Sequence, residues 1–238
     1  MLTLSDWTTV VTSGLTHQRN AIDAQGRRNT CKPDRNGHMI YFTPRTSFMH
    51  PTYGLILTPR SGRTVVPAGV PWCADNGAFT GQFDWARFER FLRAMQPEAA
   101  TCRFVAAPDV VGNAVATLDR YRYYAWRIKA LGYPVALVAQ DGLESLRWPP
   151  EYDALFIGGS TGWKLSGAAL HCIARAQAAG AWVHVGRVNG AKRIRHFRIA
   201  GVDSCDGTHL TYNPGWFMHN RLLAGLLQPA LIEDNPAC

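Results

Sequence analysis

Residues 201–208 have the sequence Gly-Val-Asp-Ser-Cys-Asp-Gly-Thr, in which two carboxylates and a glycine follow a short apolar run. This order is typical of a buried strand that delivers acids to the mouth of a parallel sheet or barrel. Four earlier stretches share the form, each an apolar run that stops at an acid, an amide or glycines: 72–77, 104–109, 136–142 and 154–159. Such endings in series predict strands that converge on one polar pocket.

The rest of the chain supplies further strands and the helices between them. Apolar runs over 38–43, 54–57 and 182–185 raise the number of short strands to about eight. Amphipathic patterns predict helices over 84–95, 114–131, 165–179 and 191–200. Repeated strand–helix units favour a parallel sheet of the α/β class that closes as a TIM-like (β/α)8 barrel. An open doubly wound sheet is the alternative, although no Gly-x-Gly-x-x-Gly at a first strand supports its dinucleotide-binding form.

The composition indicates one folded, soluble unit. With 238 residues, of which 47% are hydrophobic and 18% charged, the chain can bury a substantial core and is not a disordered protein. No apolar run is long enough to cross a membrane and the first residues do not form a signal peptide, so we expect a cytoplasmic protein. The six cysteines include no Cys-x-x-Cys pair, which predicts free thiols, no metal site and no cofactor.

An excess of basic residues favours nucleic acid as the partner. Lys and Arg number 25 against 17 Asp and Glu, which gives a net charge of +8. Guanidinium groups suit phosphate contacts. Part of the charge, including Arg27 and Arg28, lies in residues 1–36, which are predicted to form a basic arm before a barrel domain over 37–238. This arm is either a binding loop or a solvated N-terminal extension. A second basic group is predicted on one helix: Lys192, Arg193, Arg195 and Arg198.

In a (β/α)8 barrel, functional groups lie at the carboxyl ends of the strands. This rule places six residues around one opening: Asp75, Asp109, Gln140, Gly158, Gly159 and Asp206. An acid and an amide can bind a planar heterocycle through paired hydrogen bonds, and two further acids can act as nucleophile and proton donor at a glycosidic carbon. Asp203 and Asp206 remain alternatives for the key acid, because spacing alone does not separate them. His184, inside an apolar strand, is predicted to be a core histidine.

Several of these segments resemble, in the same order, the motifs of tRNA-guanine transglycosylases. Residues 74–79 resemble their Asp-Ser-Gly-Gly-Phe motif, 139–142 resemble Gln-Gly-Gly, 157–159 resemble Gly-Gly-Leu and 201–206 resemble Gly-Val-Asp-x-Phe-Asp-Cys. Asp109 falls where that family keeps its purine-reading acid. The zinc-binding Cys-x-Cys-x-x-Cys of the tRNA enzymes is absent. The chain therefore looks like the compact branch found in phages and genomic islands, the DNA deazaguanine transglycosylases.

The resemblance implies a barrel without the zinc-binding subdomain and a role for each site residue. Asp206 would be the nucleophile that attacks the sugar C1′, and Asp75 the general acid and base. The residues that would bind the guanine or deazaguanine face are Asp109, Gln140, Gly158 and Gly159. The implied reaction exchanges guanine in DNA for a free 7-deazaguanine base such as preQ0, in the host cytoplasm if a phage encodes the protein. A tRNA-guanine transglycosylase acting on RNA and a non-catalytic nucleic-acid-binding barrel are the alternatives.

Overall fold

The computed structural model describes residues 39–44, 50–80, 83–208, 210 and 216–227 of the chain. The predicted basic arm over 1–36, with Arg27 and Arg28, lies outside these residues. Among the helices that are described, none has the length and apolar character needed to span a bilayer. The cysteines in the described ranges are buried thiols outside any disulfide bond, as predicted: Cys73, Cys102, Cys172 and Cys205.

Within the described residues, eight parallel strands form a closed barrel in chain order. They are β1 (Ile40–Thr43), β2 (Tyr53–Leu57), β3 (Trp72–Ala74), β4 (Cys102–Ala106), β5 (Val135–Ala139), β6 (Ala154–Ile157), β7 (Trp182–Val185) and β8 (Ser204–Asp206). Strand β1 pairs with β2 on one side and with β8 on the other, and the second pairing sets Phe42 opposite Asp206. The predicted (β/α)8 barrel is therefore confirmed, and the open doubly wound sheet is wrong.

Helices connect several of the strands on the outside of the barrel. In the described ranges they are α1 (Trp85–Ala94), α2 (Ala114–Ala130), α3 (Thr161–Lys164), α4 (Gly167–Ala178), α5 (Ala191–Ile199) and α6 (Trp216–Leu227). Side-chain caps begin the first two: Asp84 accepts a hydrogen bond from the Arg87 N–H, and Asn113 accepts one from the Ala116 N–H. These bonds satisfy donors that the first turn of a helix leaves unpaired.

Three elements differ from the sequence prediction. The helix expected over 165–179 is observed as α4, which begins at Gly167, and the unpredicted short helix α3 precedes it; the backbone N–H and the hydroxyl of Ser166 both bind the carbonyl of Trp163 and turn the chain between the two. The last strand begins at Ser204, because Gly201 has a φ of 72° and belongs to the turn that ends α5. Helix α6, which packs along α5, is not among the predicted elements.

Alternation along the strands separates two parts of the core. The apolar side chains that point into the barrel form one cluster: Phe42, Cys73, Phe104, Ala106, Ala136, Val138, Ala154, Phe156 and Trp182. Residues on the opposite strand faces pack under the helices in a larger cluster. The inner cluster fills the barrel, and in barrels of this kind the polar groups that face an opening and carry function lie at the carboxyl ends of the strands.

Candidate active site

A cavity of about 800 Å³ opens at the carboxyl ends of the strands. Three of the predicted acids line it, namely Asp75 after β3, Asp109 after β4 and Asp206 at the end of β8. The apolar part of the wall consists of Ile56, Ala106, Val111, Val138 and Phe156. Acids set among apolar side chains suit a ligand with a flat apolar face and a polar edge.

Asp206 is almost fully buried and is bound on both carboxylate oxygens. Its Oδ2 lies 2.9 Å from Nε2 of His184, and its Oδ1 accepts a hydrogen bond of 3.0 Å from the backbone N–H of Arg187. Arg187 has a φ of 59°, the one positive value among the described residues that are not glycine. This unusual backbone conformation accompanies an N–H that is directed at the Asp206 carboxylate, a placement often seen at functional sites.

Asp203 occupies a different place from Asp206. It precedes β8, at the amino end of the strand, and its Oδ2 accepts a hydrogen bond of 2.7 Å from the backbone N–H of Val183. Its backbone carbonyl accepts from the N–H of Ile40, which ties the start of β8 to β1. Asp203 is not part of the cavity wall. Of the two candidate acids, the one that reaches the cavity is Asp206.

Asp75 lies in the cavity wall as a partly buried acid. Burial raises the pKa of Asp75 from 3.8 to about 6, although a hydrogen bond from the Gly77 N–H lowers it. The negative charges of Asp206 and Asp109 raise the pKa further, and the charge of Arg187 lowers it. Burial and neighbouring negative charge both disfavour the ionised form. Asp75 is therefore suited to hold a proton at mildly acidic pH and to exchange it near neutral pH.

Asp109 is held by two amide side chains. Its Oδ1 accepts a hydrogen bond of 2.9 Å from Asn76 Nδ2, and its Oδ2 accepts one of 2.7 Å from Gln140 Nε2. The Oε1 of Gln140 in turn accepts from the backbone N–H of Gly112, at 3.0 Å. Burial raises the pKa of Asp109, and the two amide hydrogen bonds act in the opposite direction. The carboxylate can still accept further hydrogen bonds from the cavity side, because each oxygen has more than one acceptor site.

Gln140 lies behind Asp109 and outside the cavity wall. Both ends of its amide are occupied, as just described, so the structure places it as a support for Asp109. Asn76 shares this task and also donates a hydrogen bond of 2.8 Å to the carbonyl of Ala107. Sequence reasoning did not identify Asn76, although it directly follows Asp75 at the end of β3.

The two glycines after β6 have different surroundings. Gly158 lines the cavity, and a Cβ at this position would lie 3.0 Å from Val138 and 3.1 Å from Nε2 of Gln140. Gly159 is outside the cavity wall, and a Cβ there would collide with the side chains of Asp141 and Trp163. A side chain at Gly159 would clash, one at Gly158 would need its neighbours to shift slightly, and close approach to a ligand is possible at Gly158 alone.

Arg187 joins three parts of the cavity mouth. Its Nη2 donates hydrogen bonds of 2.8 and 2.9 Å to the carbonyls of Gly158 and Gly159. Its guanidinium carbon lies 4.6 Å from the ring centroid of Phe79, a side chain that is 60% exposed. A guanidinium over an aromatic ring forms a flat, cationic surface that can stack on a nucleobase. The sequence prediction did not include Arg187 or Phe79 among the site residues.

The basic residues predicted on one helix are not equivalent. Lys192 and Arg193, in the first turn of α5, are exposed at the end of the helix that follows β7. Arg195 and Arg198 are half-buried, and Nε and Nη2 of Arg198 are inaccessible to solvent. Two further exposed arginines, Arg60 and Arg87, lie in the cavity wall and were not predicted.

The site therefore combines an acid with a raised pKa, a carboxylate fixed by two donors, and a third acid on an amide support. This division between a proton donor and an oriented carboxylate is the one that glycosidic bond cleavage needs. Within the described residues, no group of three or more His, Cys, Asp or Glu could hold a metal ion. No protein-family model and no curated protein matches the chain.

Proposed function

We propose that the chain is a DNA-guanine transglycosylase, which exchanges guanine in DNA for a 7-deazaguanine base such as preQ0 through a covalent aspartyl–sugar intermediate. The observation that carries the proposal is that Asp75, Asp109 and Asp206 line one cavity, while Asp203 does not. The barrel itself supports many activities, so the proposal rests on this arrangement of acids and on the motif resemblance.

In the first half-reaction, a carboxylate oxygen of Asp206 attacks the sugar C1′ and the bond from C1′ to N9 of guanine breaks. Asp75 donates its proton to the departing purine, which leaves as neutral guanine. In the second half-reaction, the Asp75 carboxylate takes the N9 proton of the incoming deazaguanine. The N9 then attacks C1′ and releases Asp206 as a carboxylate. The raised pKa of Asp75 supports this double role, because both protonation states are accessible near neutral pH.

Recognition of the base is assigned to Asp109 and the apolar wall. Guanine presents N1–H and a 2-amino group on one edge, and a carboxylate accepts from both in a paired arrangement. Asn76 and Gln140 orient that carboxylate toward the cavity. Phe156 and Val138 contact the ring faces, and the backbone of Gly158 permits close approach.

Binding of the polymer is assigned to basic residues around the opening. A base inside a duplex cannot reach Asp206, so the nucleotide must flip out of the stack, which costs a few kcal/mol. Phosphate contacts offset this cost. We assign such contacts to five exposed basic residues, of which the first three line the cavity: Arg60, Arg87, Arg187, Lys192 and Arg193.

The first experiment compares base exchange on two polymers. Duplex DNA and folded tRNA that carry labelled guanine are incubated with the protein and free preQ0 at the same salt concentration. We expect release of labelled guanine from DNA and little release from tRNA. Faster release from tRNA would refute the DNA assignment and favour the RNA alternative. If neither polymer released guanine, the transglycosylase hypothesis would be refuted, and the non-catalytic nucleic-acid-binding barrel would be the alternative that remains.

The second experiment identifies the nucleophile. Without a free base to complete the exchange, the wild-type chain should form a covalent adduct with DNA, which is visible as a shifted band after denaturation. Asp206→Asn should abolish the adduct and retain DNA binding, because the amide is a far weaker nucleophile than the carboxylate. Asp203→Asn is the matched control and should still form the adduct. An adduct of normal yield in Asp206→Asn would contradict the assignment.

A further inference from the structure

A chain of three hydrogen bonds runs through the barrel interior to Asp206. Nε1 of Trp182 lies 2.8 Å from Oγ of Ser204, which lies 2.9 Å from Nδ1 of His184. Nε2 of the same ring lies 2.9 Å from Oδ2 of Asp206. All four residues are buried and stand on the neighbouring strands β7 and β8. We call this chain the Trp182–Asp206 relay.

The donors and acceptors of the relay fix its direction. The indole N–H of Trp182 can only donate, so Oγ of Ser204 accepts there. The Ser204 hydroxyl hydrogen then has one acceptor within reach among the described residues, which is Nδ1 of His184. Nδ1 is the acceptor that satisfies this hydroxyl hydrogen, and Nε2 of the ring donates to Asp206.

Among the described residues, Ser204 and Asp206 are the side chains that hydrogen-bond to the imidazole. His184 is fully buried, and the rings of Phe42, Phe104 and Phe156 surround it at centroid distances of 5.8, 5.0 and 4.5 Å. A buried polar group without a partner is costly. The two ring nitrogens are therefore tied to Ser204 and Asp206, and the aromatic rings prevent the imidazole from turning.

We infer that His184 is a positioning residue for Asp206, an inference that rests on the proposed function. Its Nε2–H holds Oδ2 while the N–H of Arg187 holds Oδ1, so the carboxylate cannot rotate about its Cβ–Cγ bond. Gly186 leaves room for this arrangement, since a Cβ at this position would lie 2.6 Å from the Phe156 ring and 3.3 Å from Oδ2. A fixed nucleophile attacks C1′ without first paying the entropy of orientation.

The kinetic test compares two substitutions of the histidine. His184→Leu removes the donor, and His184→Gln keeps an N–H that can reach Oδ2. We expect His184→Leu to slow adduct formation at saturating DNA by about 10- to 100-fold, the effect of a small misplacement of a reacting group. The KM for DNA should change little, and His184→Gln should restore most of the rate. Equal losses in both variants, or a loss confined to KM, would overturn the inference.

A spectroscopic test uses the wild-type chain, so it does not depend on whether a variant folds or whether the chain is an active enzyme. Protonated and unprotonated imidazole nitrogens have well-separated ¹⁵N chemical shifts, so a long-range ¹H–¹⁵N spectrum reports the tautomer. His184 should show a protonated Nε2, the nitrogen that faces Asp206. An unprotonated Nε2 would overturn the inference even if exchange activity were present. If the wild-type chain forms no adduct, the proposed function fails separately, and this spectrum still decides whether the relay exists.

Discussion

At the scale of single residues, Asp75 connects the chemistry of the cavity with the stability of the barrel. The pKa of Asp75 rises from 3.8 to about 6 on folding, mainly because the side chain is buried. The folded chain therefore binds this proton more tightly than the unfolded chain does. Stability falls as the pH rises between these two values, and the full loss remains at neutral pH. A buried acid of this kind is held at some cost in stability.

Asp75→Asn should therefore stabilise the chain at pH 7 while it abolishes base exchange. The Asn Oδ1 can still accept the Gly77 N–H, and the charge beside Asp206 and Asp109 disappears. We expect the midpoint of thermal unfolding to rise at pH 7 by about 2–4 °C, the shift that 1 kcal/mol produces in a chain of this size.

The advantage of Asp75→Asn should vanish below pH 3.8, where Asp75 is protonated in both states. Asp119→Asn is the control, because Asp119 is exposed on α2 beside Arg122 and its substitution should change neither midpoint. A midpoint for Asp75→Asn equal to that of the wild type at both pH values would contradict the link between burial and acidity.

At the scale of elements, the two ends of helix α5 lie at different distances from the cavity. It follows β7, so its first turn lies at the cavity end of the barrel and its last turn at the opposite end. Arg193 is exposed near the first turn, whereas two guanidinium nitrogens of Arg198, in the last turn, are inaccessible to solvent. One basic helix therefore contains both a candidate phosphate ligand and an arginine that is oriented into the structure.

Arg193→Ala should weaken DNA binding and reduce the slope of log affinity against log salt concentration by about one, because one phosphate contact is lost. Arg198→Ala is the matched control on the same helix and should leave the slope unchanged. Titrations of duplex DNA at several salt concentrations measure both. Equal changes of slope in the two variants would show that the position on the helix does not decide which arginine contacts DNA.

At the scale of the whole molecule, the closed barrel explains how acids from distant parts of the chain meet. Asp75 follows strand β3, Asp109 follows β4, and Asp206 is the last residue of β8. Because all the strands are parallel, their carboxyl ends lie on one side of the barrel. The inner cluster of aromatic and small side chains supports this side from within. The zinc region of the tRNA enzymes has no counterpart in the cysteine spacing of this chain, so the barrel is expected to fold without metal.

Removal of metal should therefore leave the protein unchanged. A chelator is expected to shift the midpoint of thermal unfolding by less than about 1 °C, since a structural zinc ion would contribute many kcal/mol to folding. Elemental analysis of the purified chain is expected to find no stoichiometric zinc. One tightly bound equivalent, or a large loss of stability with chelator, would contradict this prediction and return attention to tRNA as substrate.

Much of the architecture follows from the sequence alone. Apolar runs mark the strands because a strand of a parallel barrel is buried on both faces. The residues after these runs, such as Asp75 and Asp109, lie at the opening because the carboxyl ends of parallel strands share one side. The sequence analysis did not predict helix α6, which packs on α5, because its local pattern does not indicate this packing.

The tertiary structure decided what each candidate residue contacts. From the sequence alone, Asp203 and Asp206 are equally good candidates for the key acid. They lie at opposite ends of β8, so Asp203 bonds to the Val183 N–H and Asp206 reaches the cavity. Gln140 lies behind Asp109 because of the side-chain hydrogen bonds that surround it. His184 was predicted as a core histidine, and it is one. Its bond to Asp206 depends on the register between β7 and β8, which sets His184 opposite Ser204 and which no local sequence pattern encodes.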